Sequence, residues 1–198
     1  MQDLRFPERS EGDTSTKQQL QFDLQLHQCK AERAYHQLKD AALNRSSSTV
    51  DTITFDLQQS LPTPKLSTSI VFYTERQLWT YNFGIHGCSK DKGFMFMWPE
   101  SVASRGSHEI GSCILKYLKL RASEATHLIV FSDACGGQNR NINIVCQWMY
   151  VVSNSDFAYS VVDHKFMISG HSYLPNGRDF GSIEKANRRT QHIFIPED

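Results

Sequence analysis

Carboxylates placed in and after apolar, strand-like segments are the residues of this chain best suited to chemistry. Asp56 lies inside the β-patterned run TITFDL (52–57), and Asp133 ends the apolar run HLIVFSD (127–133). A carboxylate within a protein core is costly unless a partner neutralises its charge. A divalent metal ion is the usual partner of such groups, so the pattern predicts a metal site.

The segment 170–184, GHSYLPNGRDFGSIE, holds a second group of polar side chains. It is typical of a strand end, a polar loop containing His171, and a helix that carries Asp179 and Glu184. These two carboxylates are five residues apart and point in different directions on a helix, so only one is expected to face the others. His171 on its loop is suited to proton transfer or to assisting product release.

Composition restricts the partners of the chain. Its 198 residues include 21 basic and 21 acidic side chains, so no overall field attracts nucleic acid and any contact must come from a local patch. The best local patch comprises Arg178, Lys185, Arg188 and Arg189, although a solvated helix face explains such a group more often. There is no membrane-length apolar run and no secretory signal, and five scattered cysteines fit a reducing compartment. We therefore expect an intracellular protein, with nucleus and cytoplasm both open.

Hydrophobic periodicity predicts an α/β chain in two parts: a polar start with an N-terminal helix (1–48), and a domain (49–198). Strands are expected at 51–58, 68–86, 93–98, 127–132 and 158–168, and helices at 19–44, 105–121, 138–152 and 178–189. A break is expected at 61–64, where two prolines occur. The order β-β-β-α-β-α-β-α after the first helix predicts a mixed five-stranded sheet flanked by helices, antiparallel first and parallel later.

This element order, with carboxylates at these points, resembles the ribonuclease H-like superfamily, which contains RNases H, retroviral integrases, transposases and several exonucleases. The resemblance covers residues 51–189. It depends on four local matches: Asp56 in the first strand, Glu109 in the first turn of the helix after the third strand, Asp133 ending the fourth strand, and the Gly170-His171 loop followed by Asn176 and Asp179. The last match is most similar to RNase H proper.

The final position has a competing match in the transposase branch, where Pro175, Asp179, Ile183 and Glu184 resemble the pattern of the last helix and Glu184 is the ligand. More closely, the chain resembles a family of arthropod and other animal proteins that look derived from mobile elements. The shared motifs are FY (72–73), RQLW (76–79), ASRG (103–106), FSDACGGQN (131–139) and GHS (170–172). In that family the domain follows other segments, so the resemblance implies a fragment of a longer protein.

The resemblance implies a nuclease or polynucleotidyl transferase that uses two Mg²⁺ or Mn²⁺ ions. The implied metal ligands are Asp56, Asp133 and either Asp179 or Glu184, with Glu109 assisting and His171 in proton transfer. Nucleic acid, DNA rather than RNA, is expected to contact the turn residues Gln138, Asn139 and Arg140 and the helix residues Arg178, Lys185 and Arg188. The alternative is a catalytically inactive module that keeps the fold for protein or nucleic-acid binding.

Each of these residues also has an ordinary explanation. Asp56 could lie on a solvent-facing side of its strand, and Glu109 or Asp179 could simply stabilise the first turn of a helix. A thiol hydrolase built on Cys135 with His164 or His171 is a weaker alternative, because the usual glycine frame around the nucleophile is absent. A zinc site at His86 and Cys88 is weaker still, because there is no Cys-x-x-Cys pair. Gln58, where proofreading exonucleases carry an acidic residue, disfavours that branch.

Overall fold

The computed structural model describes residues 11–43, 49–63, 77–168, 174–190 and 193, with side chains from residue 16 onward. Its helices and strands, in chain order, are α1 (Glu11–Leu43), β1 (Val50–Leu57), β2 (Leu61–Thr63), β3 (Leu78–Gly87), β4 (Lys92–Pro99), α2 (Ser107–Arg121), β5 (His127–Ser132), α3 (Ile142–Ser153), β6 (Val161–Phe166) and α4 (Asn176–Arg189). The predicted α/β class is confirmed.

The strands form one mixed sheet with the order β4-β3-β1-β5-β6. β3 is antiparallel to β1 and β4, whereas β5 is parallel to β1 and β6. The predicted change from antiparallel to parallel pairing is therefore confirmed. The two parallel connections pass through α2 and α3, as helical crossovers between parallel strands require.

The sheet has six strands and not five, because the predicted break at 61–64 contains β2. Leu61 of β2 and Pro99 of β4 both pair with Thr80, so β2 lies on the side of β3 that β1 occupies farther along. Pro62 is tolerated in this strand because β2 is short and lies at an edge, where a missing backbone donor costs little. The described part of the predicted strand 68–86 is β3.

Helix boundaries differ from the sequence prediction where caps or packing decide them. α3 begins at Ile142, four residues later than predicted, because the side chain of Asn141 caps it by accepting a 3.2 Å hydrogen bond from the backbone N–H of Ile144. α1 begins at Glu11, eight residues earlier than predicted. In the described ranges, none of the helices combines the length and apolar character needed to cross a membrane.

One face of the sheet carries the main core. Strand residues on this face pack against apolar side chains of α2 and α3, and the fully buried members include Ile53, Phe55, Phe83, Ile85, Ile110, Ile114, Leu128 and Val130. Because strand side chains alternate between faces, the intervening residues, Thr52, Thr54 and Asp56, belong to the opposite face. The core therefore dictates the direction in which the first predicted site residue points.

The opposite face is covered by α1 and α4. The C-terminal half of α1 packs through Leu38 against Phe131, Met167 and Leu174. The predicted apolar stripe of α1 is only partly buried, since Leu20 near its N-terminal end remains 63% exposed. α4 lies over β1 and β3, where the buried Asn176 accepts a 2.6 Å hydrogen bond from the hydroxyl of Thr54 and donates a 2.8 Å bond to the carbonyl of Gly84.

Candidate functional site

Asp56 and Asp133 lie beside each other at the carboxyl ends of two neighbouring parallel strands. Thr54 pairs with Phe131 in the β1–β5 register, and each aspartate follows its strand partner by two residues. Ligand sites of open α/β sheets favour the carboxyl ends of parallel strands. The structure therefore brings together two predicted site residues that are 77 positions apart in the chain.

The carboxyl group of Asp56 is strongly perturbed. Burial raises its pKa, the negative charge of Asp133 raises it further, and a 2.8 Å hydrogen bond from the backbone N–H of Leu57 opposes both effects, which leaves a pKa of about 6. Among the described residues, no Lys or Arg forms an ion pair with Asp56 or Asp133. Within the described part of the chain, the pair therefore carries negative charge that no Lys or Arg side chain neutralises.

Asp133 is held in place by its own loop. Its Oδ1 accepts hydrogen bonds from the side-chain amide of Asn139 and from the backbone N–H of Cys135, the latter 3.3 Å long. Asn139 is almost completely buried, so its side chain is not on the surface where we predicted a contact with nucleic acid. The side-chain amide of Asn139 supports the aspartate six residues earlier in the chain.

A chain of hydrogen bonds supports Asp133 from the main core. The indole N–H of Trp148 donates to Nδ1 of His164, and Nε2 of His164 lies 2.9 Å from the hydroxyl of Ser132. The hydroxyl of Ser132 donates in turn to the backbone carbonyl of Asp133. Burial lowers the pKa of His164 to about 4, so the imidazole is neutral near pH 7. This chain fixes the end of β5 without adding charge.

Among the residues that the structure describes, neither Cys135 with His164 nor His86 with Cys88 forms the rival site predicted from it. His164 is committed to Trp148 and Ser132, whereas Cys135 is exposed in the loop that follows β5, so the pair is not a nucleophile and its base. The imidazole of His86 lies between the carboxylates of Asp179 and Asp91, at 2.8 and 3.2 Å. His171, the other predicted partner, lies outside the described residues.

The two carboxylates of α4 have separate environments. Oδ2 of Asp179 is hydrogen-bonded to His86, on the β3–β4 side of the sheet, and among the described residues Asp179 makes no hydrogen bond or ion pair with Asp56 or Asp133. Oε1 of Glu184 instead accepts a 3.4 Å hydrogen bond from the side chain of Gln58, two residues beyond Asp56. Of the two open alternatives, Glu184 is the one that contacts a residue just beyond the end of β1.

Glu109 caps the start of α2. Its carboxylate accepts a 2.9 Å hydrogen bond from the backbone N–H of Gly106 and a 3.0 Å bond from the hydroxyl of Ser104, which is a capping box at the start of α2. Both oxygens are therefore used locally, and the structure does not place Glu109 with Asp56 and Asp133. The ordinary explanation, stabilisation of a first helical turn, is the one that its contacts favour.

The basic and polar residues that we predicted to contact nucleic acid lie in different parts of the structure. Gln138 donates to the backbone carbonyl of Arg105, and the guanidinium of Arg140 lies 5.8 Å from the ring centre of Phe166. Arg178 pairs with Asp91 in the first turn of α4, six residues before Glu184. Lys185 and Arg188 are exposed, and only Arg188 joins Gln58 and Glu184 around a groove of about 270 Å³.

The donor chemistry of this site fits a hard cation, although the number of ligands is small. Among the residues that the structure describes, no three Asp, Glu, His or Cys side chains come close enough to hold a metal ion, so the predicted set of three or four ligands is not assembled. Two carboxylates remain, and Mg²⁺ is commonly bound through one or two carboxylates with water and substrate phosphate. Oδ1 of Asn139 is also buried there without a hydrogen-bond partner.

Gln58 and Asn82 belong to this site but were not among the predicted site residues. Gln58 is buried, accepts a 2.8 Å hydrogen bond from the side chain of Asn82, and donates to Glu184. A signal was available, since two amide side chains within β-patterned segments need buried partners. Their pairing across β1 and β3 was not visible because it depends on the strand register.

Comparison of the chain with protein-family models, with curated proteins and with solved structures gave no match.

Proposed function

We propose that this chain is a divalent-cation-dependent enzyme that cleaves or transfers phosphodiester bonds in nucleic acid. The observation that carries the proposal is the Asp56–Asp133 pair, two adjacent carboxylates at the strand ends with no cationic partner among the described residues. Such a pair is unfavourable by itself and becomes favourable when a cation is bound. Perturbed carboxylates of this kind are concentrated at functional sites.

The strand order supports an RNase H-like architecture for the chain. A central β1 lies between an antiparallel β3 and a parallel β5, and α2 and α3 form the parallel crossovers. The aspartates lie on the central strand and on its parallel neighbour, as the sequence resemblance implies. Fold alone does not define an activity, so the carboxylate pair has the greater weight.

Each residue of the proposed site has a distinct role. Asp56 and Asp133 would hold Mg²⁺ or Mn²⁺, and the bound ion would lower the pKa of a water molecule and stabilise charge on phosphate oxygens. Asn139 and the N–H of Cys135 orient the Asp133 carboxylate, and Gln58 orients Glu184 toward the same end of β1. Because the pKa of Asp56 is about 6, the ligand is mainly ionised at pH 7 and above.

Cleavage of labelled DNA, RNA and hybrid strands in Mn²⁺ tests the proposal. We expect Asp133→Asn to lower the rate at least about 100-fold. Loss of this carboxylate would weaken binding of the cation, and the cation stabilises the negative charge of the phosphate in the transition state. Asp163→Asn is the matched control, because Asp163 is an exposed aspartate on β6 whose carboxylate pairs with His127, away from the aspartate pair. Equal rates for wild type and Asp133→Asn would reject the enzyme.

The same assay separates the two carboxylates of α4. Glu184→Gln should reduce the rate, whereas Asp179→Asn should leave it within a few-fold of wild type in protein that remains folded. The rate of the wild type should also rise between pH 5 and 7, because ionisation of Asp56 precedes cation binding. A rate that does not change between pH 5 and 7 would show that catalysis does not require ionisation of Asp56.

A catalytically inactive module is the second candidate function, and the incomplete ligand set favours it. Such a module would keep the sheet and the two covering helices for binding to protein or nucleic acid. Mn²⁺ titration distinguishes the two functions, because a ligand that binds only the folded protein raises its thermal stability. An inactive module should melt at the same temperature with and without the ion.

A further inference from the structure

An aromatic groove lies around the same end of β1 as the aspartate pair, on the other face of the sheet. It has a volume of about 440 Å³ and is lined by Gln59, Ser60, Trp79, Tyr81 and Arg105. This volume lies within the range of sites that hold small ligands. Gln59 is three residues beyond Asp56 in the chain, so the groove begins just past the end of β1 at which Asp56 lies.

Two aromatic rings form one wall of the groove. Trp79 and Tyr81 alternate with the buried Thr80 on β3 and therefore share one face of the sheet. Trp79 is 43% exposed, and Trp98 meets the ring of Tyr81 edge-on, with the ring centres 5.9 Å apart. The wall is thus an exposed indole beside a phenol ring that has a fixed orientation.

The side chain of Arg105 forms the other side of the groove. The guanidinium of Arg105 lies 6.0 Å from the ring centre of Tyr81 and 3.5 Å from the hydroxyl of Ser60, and within the described ranges it forms no ion pair. A guanidinium of this kind is well matched to phosphate, to which it can donate two parallel hydrogen bonds. The groove therefore offers a stacking surface and an anion site together.

The backbone around Arg105 is held from several sides, so the side chain of Arg105 projects from a fixed point at the edge of the groove. The capping carboxylate of Glu109 binds both Ser104 and Gly106, and the indole of Trp98 donates a 2.8 Å hydrogen bond to the carbonyl of Ser104. Gln138, in the loop that follows Asp133, donates to the carbonyl of Arg105. This last contact links the groove directly to the loop that orients Asp133.

From these contacts we infer that the groove binds an unpaired nucleotide of a single-stranded polynucleotide, with its base stacked on Trp79 and its phosphate on Arg105. The inference rests on the proposed function for its class of substrate. Exposed aromatic rings beside a cation bind single strands without strong sequence preference, because every base has a stacking face. The backbone that follows would pass the end of β1, beside Asp56 and Asp133.

Binding of a fluorescein-labelled single strand by the full chain in EDTA tests this inference apart from catalysis. Thymidine and uridine oligomers of about 15 nucleotides distinguish DNA from RNA, and a DNA duplex of equal length tests the requirement for an unpaired base. Trp79→Ala should weaken single-strand binding about 5- to 30-fold, and Trp79→Phe should retain most of it. Arg105→Ala should weaken binding and reduce its salt dependence.

The control variant is Tyr150→Ala, which removes a ring of similar exposure (45%) from α3, outside the groove. Unchanged affinity for the single strand in Trp79→Ala, or no binding by the wild type, would overturn the inference. Failure of the nuclease assay together with Trp79-dependent binding would reject the enzyme and keep the groove. If cleavage depends on Asp133 but Trp79→Ala binds the single strand normally, the groove is rejected and the enzyme is kept.

Discussion

Replacing Asp56 by Asn is expected to stabilise the metal-free protein at pH 7 by about 1–3 kcal/mol. Burial and the charge of Asp133 raise the pKa of Asp56 from 3.8 to about 6, so at pH 7 the folded state holds an ionised carboxylate that it disfavours. Asn keeps an oxygen that can accept the hydrogen bond from the N–H of Leu57 and removes the charge. Urea unfolding in EDTA measures the difference.

The pH dependence of this difference has a definite sign. For a carboxyl group whose folded pKa is raised, protonation stabilises the fold fully below the unfolded pKa, and this contribution is lost as the pH rises through about 6. The advantage of Asp56→Asn over wild type should therefore be largest above pH 7 and shrink toward pH 4. An advantage that does not change between pH 4 and 8 would contradict the perturbed carboxyl group.

The same variant should lose its response to cation. Mn²⁺ at about 100 times its dissociation constant stabilises a protein that binds it only when folded by about 2.7 kcal/mol. We expect this gain for wild type and for Asp163→Asn, and little gain for Asp56→Asn. A variant that gains stability without the ion and loses the response to it would illustrate the exchange of stability for function. Equal Mn²⁺ stabilisation of Asp56→Asn and wild type would place the ion elsewhere.

Breaking the buried ion pair at the start of β1, by removing one partner, should destabilise the protein, and by more than Asp56→Asn stabilises it. Arg121, at the end of α2, donates hydrogen bonds of 2.5 and 3.1 Å to Asp51, and their side chains are only 11% and 6% exposed. The hydroxyl of Tyr159 donates a 2.9 Å bond to the same carboxylate. Arg121→Ala should cost about 3–5 kcal/mol, because it leaves a buried charge without its partner.

The exposed pair Lys119–Asp156, two residues earlier on α2, supplies the control. Its nitrogen and oxygen atoms are 3.8 Å apart and its side chains are 55% and 60% exposed, so Lys119→Ala should change stability by no more than about 0.5 kcal/mol. Replacing Asp51 and Arg121 together with apolar residues should recover part of the loss. Similar losses in the free energy of unfolding for Arg121→Ala and Lys119→Ala would show that the buried pair contributes no more to stability than the exposed pair.

Acid should weaken the same pair. Burial raises the pKa of Asp51, but hydrogen bonds from Ser123, Arg121 and Tyr159 and the charge of Arg121 outweigh burial and lower it overall. A group with a lowered folded pKa contributes stability above its unfolded pKa near 3.8, and this is lost as the pH falls through the lowered value. Asp51→Asn should therefore remove part of the stability that wild type has above pH 4.

Local sequence was sufficient for most elements and for the aspartate pair. Alternation and apolar runs predict β1 and β5 to within a residue, because burial of one or both strand faces leaves a short-range pattern. An aspartate that ends a buried strand is also a local feature, and the strand order then decides its neighbour. The proline-containing β2 was missed because its pairing with β3 overrides the local preference of Pro62.

Which polar side chains share a site was decided only by the tertiary structure. Asp179 and Glu184 were equivalent candidates in the sequence until His86, 93 positions earlier than Asp179, bonded to one and Gln58 bonded to the other. Asn139 changed from a predicted contact residue to a buried support in the same way. The amino-acid sequence by itself determined the elements and the charges they carry. The rotation of α4 against the sheet, set by side chains distant in the chain, determined which of those charges meet.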